Sequence, residues 1–185
     1  MKILITGSTG FIGKHLLPEL KLIADVVELQ SDLRHHEAVK QEVLDAQPDI
    51  VVHLAARTEV QESFYEQIPF SEINYVGTVN LIESCALLSH VPYFVFASTM
   101  EVYGWQPISD EVEKTGTYKH SIAFDEKTTA NPNAPYAVAK LGCEKYLEYA
   151  SRAYGLDFAA IRQTNSYGRD DNNYFVTEQI ITQML

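Results

Sequence analysis

Lys2-Ile-Leu-Ile-Thr-Gly-Ser-Thr-Gly-Phe-Ile-Gly13 is the stretch whose reading decides the fold. An aliphatic run ends at Thr6, glycines follow at 7, 10 and 13, and Leu16, Leu17 and Leu20 then recur at helical spacing. Strand, glycine turn and helix in that order is the fingerprint of a dinucleotide-binding βαβ unit. Gly7 permits the tight turn, Gly10 lets backbone approach a pyrophosphate, and Gly13 allows the helix to pack closely on the strand. Phe11 and Ile12 complete the turn, where the N–H groups of the helix N-terminus suit an anion. Pro18 lies inside the helix that follows, at a cost of about 3 kcal/mol relative to Ala, and is expected to bend or interrupt it.

Asp25 to Leu29 reads as the second strand. An acidic residue for the adenosine ribose belongs near its end, about 20 residues past the glycines. The strand ends in Gln30, with Glu28 before it, Asp32 just after it, and Arg34 placed to meet a 2′-phosphate, so NAD and NADP both stay open. His35 and His36 are adjacent, point in different directions and lack a third ligand, so they read as a solvated helix start and no metal site is expected. After a short helix, Asp49 to Leu54 is nearly continuous in apolar character, as central parallel strands are. Ligands of open α/β sheets bind beyond the carboxyl ends of the strands, which places Leu54-Ala55-Ala56-Arg57 near the cofactor. Pro69 to Ser89 reads as one long helix, with Gly77 where a close neighbour needs room and Asn74 placed either to hydrogen-bond near the cofactor or to tie backbone together.

Tyr93 to Ala97 is the next buried strand and delivers Ser98-Thr99-Met100-Glu101-Val102-Tyr103-Gly104 to the same edge. Trp105 to Ala134 has mixed charge and little periodicity and reads as a long loop of the kind that covers a site. Ala134 to Tyr154 is a helix, Asp157 to Arg162 a last strand, and Gln163 to Gly168 turns into a final helix ending at Leu185. The expected architecture is α/β, a Rossmann-like doubly wound parallel sheet with helices on both faces, in one domain over 1–185.

At 185 residues and 46% hydrophobic composition the chain can bury one good core. A net charge of -11 argues against a nucleic-acid or membrane-surface binder, which would need clustered Lys and Arg. Two cysteines without metal-ligand spacing, no signal-peptide pattern and no membrane-length apolar run suggest a cytoplasmic protein.

Chemistry enters with Tyr136-Ala-Val-Ala-Lys140, a phenol and an ammonium one helical turn apart on a shared face. A lysine cation beside the tyrosine favours phenolate, as does a cationic cofactor ring, and yields a base usable near neutral pH.

Taken together, TGSTGFIG from Thr6, HLAA from His53, NYVGT from Asn74, ASTMEVYG from Ala97, PYAVAK from Pro135 and IRQTNSYG from Ile161 resemble the extended short-chain dehydrogenase/reductase family, with the nearest likeness to NAD-dependent nucleotide-sugar epimerases and dehydratases. The resemblance implies that Thr99 bonds the reacting sugar oxygen. Tyr136 is then the base, and Lys140 activates it and holds the nicotinamide ribose. It further implies a cofactor lined by Gly7, Gly10, Phe11, Ile12, Gly13, Asp32, Leu33, the segment from Leu54 to Arg57, Asn74 and Thr164, with Asn165 approaching the substrate. Family helices corresponding to Pro69–Ser89 and Ala134–Tyr154 often pair between subunits, so a homodimer is expected.

Glu101 is the position at which related 4,6-dehydratases use a glutamate to remove the proton next to a new ketone. Met100 departs from the aspartic proton donor of the dTDP-glucose type, while the GDP-mannose type reads Ser-Thr-Ser-Glu. Many epimerases also read Glu-Val-Tyr-Gly, so Glu101 is expected to be structural and the reaction an epimerisation through a transient 4-keto intermediate. A 4,6-dehydratase, a 4-ketosugar reductase and a non-catalytic NAD(P)-sensing protein are the alternatives. The family continues past the point corresponding to Leu185, through much of the sugar-nucleotide pocket, so most of the C-terminal substrate-binding part is expected to be absent.

Overall fold

Ile3, Leu4 and Ile5 are fully or almost fully buried and form the centre of β1 (Lys2–Thr6), an interior strand of a five-stranded sheet. In this computed structural model, which describes residues 1–104, 106, 124–168 and 176–184, β1 lies between β2 (Asp25–Glu28) and β3 (Ile50–His53). The sheet continues through β4 (Tyr93–Ala97) to β5 (Phe158–Ile161), and every pairing is parallel. Register aligns Thr6 with His53, His53 with Phe96 and Phe96 with Ala160, so the carboxyl ends of β1, β3, β4 and β5 finish on one edge.

Successive side chains of a strand alternate between faces, and the core divides accordingly. Ile3, Ile5 and Val52 meet Leu16, Leu17 and Leu20 of α1 (Phe11–Ile23) on one face. Leu4, Val51, Phe94 and Phe96 face the other way, against α2 (His36–Ala46), α5 (Gly77–Ala86) and α6 (Pro135–Tyr154). Phe94 and Phe96 have no exposed surface, and burying each is worth about 2–3 kcal/mol. Of the bend or interruption expected at Pro18, the interruption does not occur, and α1 runs through it as one helix. The ring costs one backbone hydrogen bond, and leucines packed on both sides of it hold the helix to the sheet.

The single helix expected over Pro69–Ser89 is instead three joined segments, preceded by the short α3 (Val60–Ser63): α4 (Gln67–Ser71), a π-helical stretch at Glu72–Val76, and α5. The wider turn follows from what it must reach, because Asn74 bonds the backbone of Arg57 while Gly77 sits against Leu33, where a Cβ would come within 2.8 Å of the leucine Cβ. Most of the loop expected at Trp105–Ala134 lies outside the described residues. The expected final helix appears as α7 (Val176–Met184), its approach from 169 to 175 and Leu185 again lying outside. Among the described residues no helix is long and apolar enough to cross a membrane.

Candidate active site

The glycine turn closes because Gly7 adopts φ +70°, a left-handed conformation that side chains disfavour, and because a Cβ there would sit 2.6 Å from the Ala55 nitrogen. Gly13 is tighter still, since a Cβ would meet the carbonyls of both Gly7 and Ser8. These contacts press the first turn of α1 against the ends of β1 and β3. That turn has no capping side chain and no acidic residue, so its dipole opens toward a cavity of about 590 Å³. Gly7, Gly10, Phe11, Ile12 and Gly13 line it on one side, Leu54, Ala56, Ala97 and Ser98 at the strand ends, and Tyr136 and Lys140 on the other side.

A second cavity of about 480 Å³ shares Thr58, Glu59, Tyr136 and Gln163 with the first, and adds Thr99, Glu101, Thr164 and Asn165. Tyr136 therefore stands where the two spaces meet. The 3-10 turn Met100–Tyr103 directs Glu101 into this space, whereas Met100 lines a separate cavity beside Arg162.

α6 has Pro135 in its first turn, which suits a position whose N–H is not needed, and ends at Gly155 in the left-handed conformation. Lys140, 2% exposed, donates to the Ala97 carbonyl at 2.7 Å and lies 4.7 Å from the centre of the Phe96 ring. Burial pushes its pKa down to about 8. The expected depression of the Tyr136 phenol by this ammonium is not seen. Burial pushes the phenol up to about 12, a hydrogen bond with Thr99 offsets part of that, and the Glu101 and Glu59 carboxylates add to the rise. The lysine is committed to backbone, 6.0 Å from the tyrosine ring centre.

Several residues expected at the cofactor support it from behind. Asn74 is 1% exposed, accepts from the Arg57 N–H and donates to the Arg57 carbonyl, both at 2.8 Å, so of its two expected roles the backbone tie is the one seen. The Arg57 guanidinium is held by Glu62 and Glu66 over the Phe70 ring. Ala55 backs the glycine turn, and Leu33 is buried against Gly77. Asp32 is gripped by Arg34 at 2.6 Å, which holds its carboxyl down at about 2, and neither Asp32 nor Leu33 lines the cavity.

His53 is buried between Thr6 (2.6 Å to Nδ1) and Thr78 (2.8 Å to Nε2). Thr78 donates to the Asn74 carbonyl, so its oxygen accepts from Nε2–H and Nδ1 accepts from Thr6. This arrangement suits a neutral ring, and burial pushes its pKa down to about 3. Among the described residues no group of His, Cys, Asp and Glu forms a metal cluster.

Sequence reasoning did not single out Glu59, Gln163, Ser98 as a cavity residue, or Glu144. Glu144 had a signal, since it continues the four-residue spacing of Tyr136 and Lys140. The first two became visible only as cavity walls.

A parallel sheet with a glycine turn at the end of its first strand, faced by a buried Tyr-x-x-x-Lys helix, defines a Rossmann-type nucleotide-cofactor protein of the short-chain dehydrogenase/reductase kind. The chain belongs to the NAD dependent epimerase/dehydratase family, whose sequence profile matches residues 3–185. It is 32% identical over 194 residues to dTDP-D-glucose 4,6-dehydratase of Dictyostelium discoideum, covering 90% of this chain and 44% of the relative. Among solved structures it resembles UDP-glucose 4-epimerase of Thermus thermophilus in complex with NAD, with TM-score 0.82, 27% identity, and coverage of 98% of this chain and 61% of that one. RMD from Pseudomonas aeruginosa, complexed with NADPH, gives TM-score 0.83 and 26% identity, covering 99% of this chain and 59% of that one. The chain spans about half the length of the curated relatives it matches.

Proposed function

We propose that this chain is the cofactor-binding part of a nucleotide-sugar epimerase that works through a transient 4-keto intermediate with tightly bound NAD. The observation that carries the reading is the meeting of Tyr136, Thr99 and Lys140 at the junction of the two cavities, one beginning at the glycine turn and the other ending at Asn165. The residues fit a dinucleotide. Gly7, Gly10 and Gly13 leave room at an uncapped helix end, and the Leu54–Arg57 segment is held rigid by Asn74. Asp32 and Arg34, paired with each other four and six residues past β2, follow the strand after which the adenosine ribose belongs.

NAD, when bound, supplies the hydride acceptor and a positive ring that lowers the phenol's pKa. Tyr136 takes the proton of the sugar hydroxyl as the same carbon loses its hydride, and Thr99 holds the reacting oxygen. Lys140 would hold the nicotinamide ribose, and Asn165 faces the substrate side. Hydride returned to the opposite face of the ketone, with Tyr136 giving its proton back to the oxygen, would complete the epimerisation and regenerate the cofactor.

Glu101 favours a second reading. It lines the same cavity as Tyr136 and Thr99, which is where a base for 4,6-elimination belongs. Met100 weighs against it, because a thioether facing the other cavity donates no proton to the leaving hydroxyl. The experiment is a panel of UDP-, GDP-, CDP- and dTDP-sugars incubated with NAD or NADP and scored by product analysis. Epimers without net cofactor change support the proposal, 4-keto-6-deoxy products favour elimination, and stoichiometric consumption of NAD(P)H replaces both with a reductase. A Tyr136→Phe variant with undiminished activity would remove the catalytic assignment.

The reading includes a homodimer built on the outer faces of the helical run over 67–86 and α6, where Val76, Val138 and Tyr149 are exposed and a cavity is lined by Tyr75, Pro135 and Val138. Light scattering at micromolar concentration that returns a single monomeric species would contradict it. The proposed compartment is the cytoplasm, where Cys85 and Cys143, both buried and free, stay reduced.

A further inference from the structure

Tyr136, Lys140 and Glu144 occupy one face of α6 at four-residue spacing, and each reaches a consecutive part of the β4 exit. Tyr136 meets Thr99, Lys140 the carbonyl of Ala97, and Glu144 the hydroxyl of Ser98. Glu144 is 4% exposed and is also held from the far side by Arg162, which donates to both carboxylate oxygens from Nε at 3.1 and 3.2 Å and from Nη2 at 2.7 Å. Arg162 follows β5 directly, donates from Nη1 to the Tyr103 hydroxyl at 3.1 Å and lies 4.9 Å from the Tyr103 ring centre. The next residue closes the loop, because the Gln163 carbonyl accepts from the Met100 N–H at 3.0 Å. A buried ion pair therefore ties together the three elements that supply the cavity junction.

A buried pair of this kind is weak evidence for stability as such, because desolvating both charges offsets most of their attraction. Its geometry is informative instead. Glu144 accepts from Ser98, next to Thr99, which lines the same cavity as Tyr136. Arg162 holds one end of the Met100–Tyr103 turn through Tyr103, and the carbonyl of its neighbour Gln163 holds the other through Met100.

We propose that Glu144, oriented by Arg162, is a positioning residue that holds the Ser98–Thr99 turn so that the Thr99 hydroxyl stays beside Tyr136 in the wall of the cavity they share. The proposal rests on the reading of Tyr136 and Thr99 as the proton-handling pair. Displacing that hydroxyl by about an ångström is the scale of error that costs up to ~100-fold in rate.

Three variants of the full chain test it: Ser98→Ala, which removes the handle and leaves the ion pair, Arg162→Lys, which keeps the charge and loses the fork, and the double Glu144→Leu with Arg162→Met, which leaves no unpaired buried charge. The double variant is expected to keep a melting temperature near that of the parent. All three are expected to bind NAD within about threefold of the parent, to keep KM within about threefold, and to lose ~10- to 100-fold in kcat on the sugar nucleotide selected by the panel. Hydrogen exchange requires no turnover. Amides of residues 97–103 are expected to lose protection in each variant while those of β1 and β3 keep theirs. Unchanged exchange at 97–103 overturns the proposal, and so does a double variant that recovers both stability and kcat. If Tyr136→Phe leaves turnover intact, the functional reading fails alone, and the exchange result still decides whether Glu144 holds the turn.

Discussion

Replacing Lys140 by methionine separates what this residue does for the fold from what it does for chemistry. In the folded chain its ammonium is buried and its pKa falls from 10.5 to about 8. At 1.36 kcal/mol per pH unit the charge costs the folded state roughly 3 kcal/mol wherever both states are protonated, that is, below pH 8. Between pH 8 and 10.5 the folded protein has shed the proton while the unfolded chain still holds it. Unfolding then takes up a proton, and stability rises with pH until the cost is gone. Methionine removes the charge and keeps the stem, but leaves the Ala97 carbonyl without its donor, a loss of about 1–3 kcal/mol. The two effects nearly cancel at pH 7, so Lys140→Met is expected to be as stable as the parent or up to ~2 kcal/mol more stable, while losing turnover. Tyr136, Cys85 and Cys143 have pKa values raised by burial and erode stability above pH 9–10, so a single curve does not isolate the lysine. The difference between parent and variant does. Urea unfolding at intervals from pH 7 to 10.5 is expected to show the parent gaining roughly 3 kcal/mol relative to Lys140→Met. Parallel curves would refute the reasoning, since they would mean that the ammonium keeps its ordinary hydration.

Gly13→Ala is expected to destabilise by about 1–3 kcal/mol and to abolish NAD binding, because backbone carbonyls on two residues block the added methyl; thermal melts and a cofactor titration check it. Asn74→Ala leaves both backbone groups of Arg57 without their partners, so a loss of about 2–4 kcal/mol in urea unfolding is expected, with weaker NAD binding because the Leu54–Arg57 segment loosens. His53 has a folded pKa near 3, against 6.5 for the free side chain. As pH falls below 6.5 the unfolded chain takes up a proton that the folded chain refuses, and stability drops by up to roughly 1.4 kcal/mol per pH unit. Acid titration of stability in His53→Gln is expected to be correspondingly shallower between pH 6.5 and 4.

Local pattern carried a large part of this protein. β1 was legible because five residues of one period end at a glycine that must adopt positive φ, and β3 and β4 because strands covered on both faces need apolar residues almost throughout. α6 was legible as a helix over Ala134–Tyr154, and Tyr136 and Lys140 followed because four-residue spacing alone puts two side chains on one face. Asn74 lay on the boundary, since the sequence offered a cofactor contact and a backbone tie equally. Only the π-helical turn that aims it at Arg57 chose between them.

What the sequence by itself determined was therefore the order of strands and helices, the glycine turn, and the residue types brought to one edge of the sheet. What only the tertiary structure decided was which of those groups are buried, which are already bonded, and which face the same space. Lys140 reads as the activator of a phenol until packing commits it to Ala97, and Glu101 and Met100, adjacent in the chain, open into different cavities. The physical reason is that spacing along a helix or strand depends on local backbone geometry alone. Desolvation and hydrogen-bond partnership depend on what the rest of the chain places alongside, and here that was a carboxylate and a guanidinium, Glu144 and Arg162, eighteen residues apart.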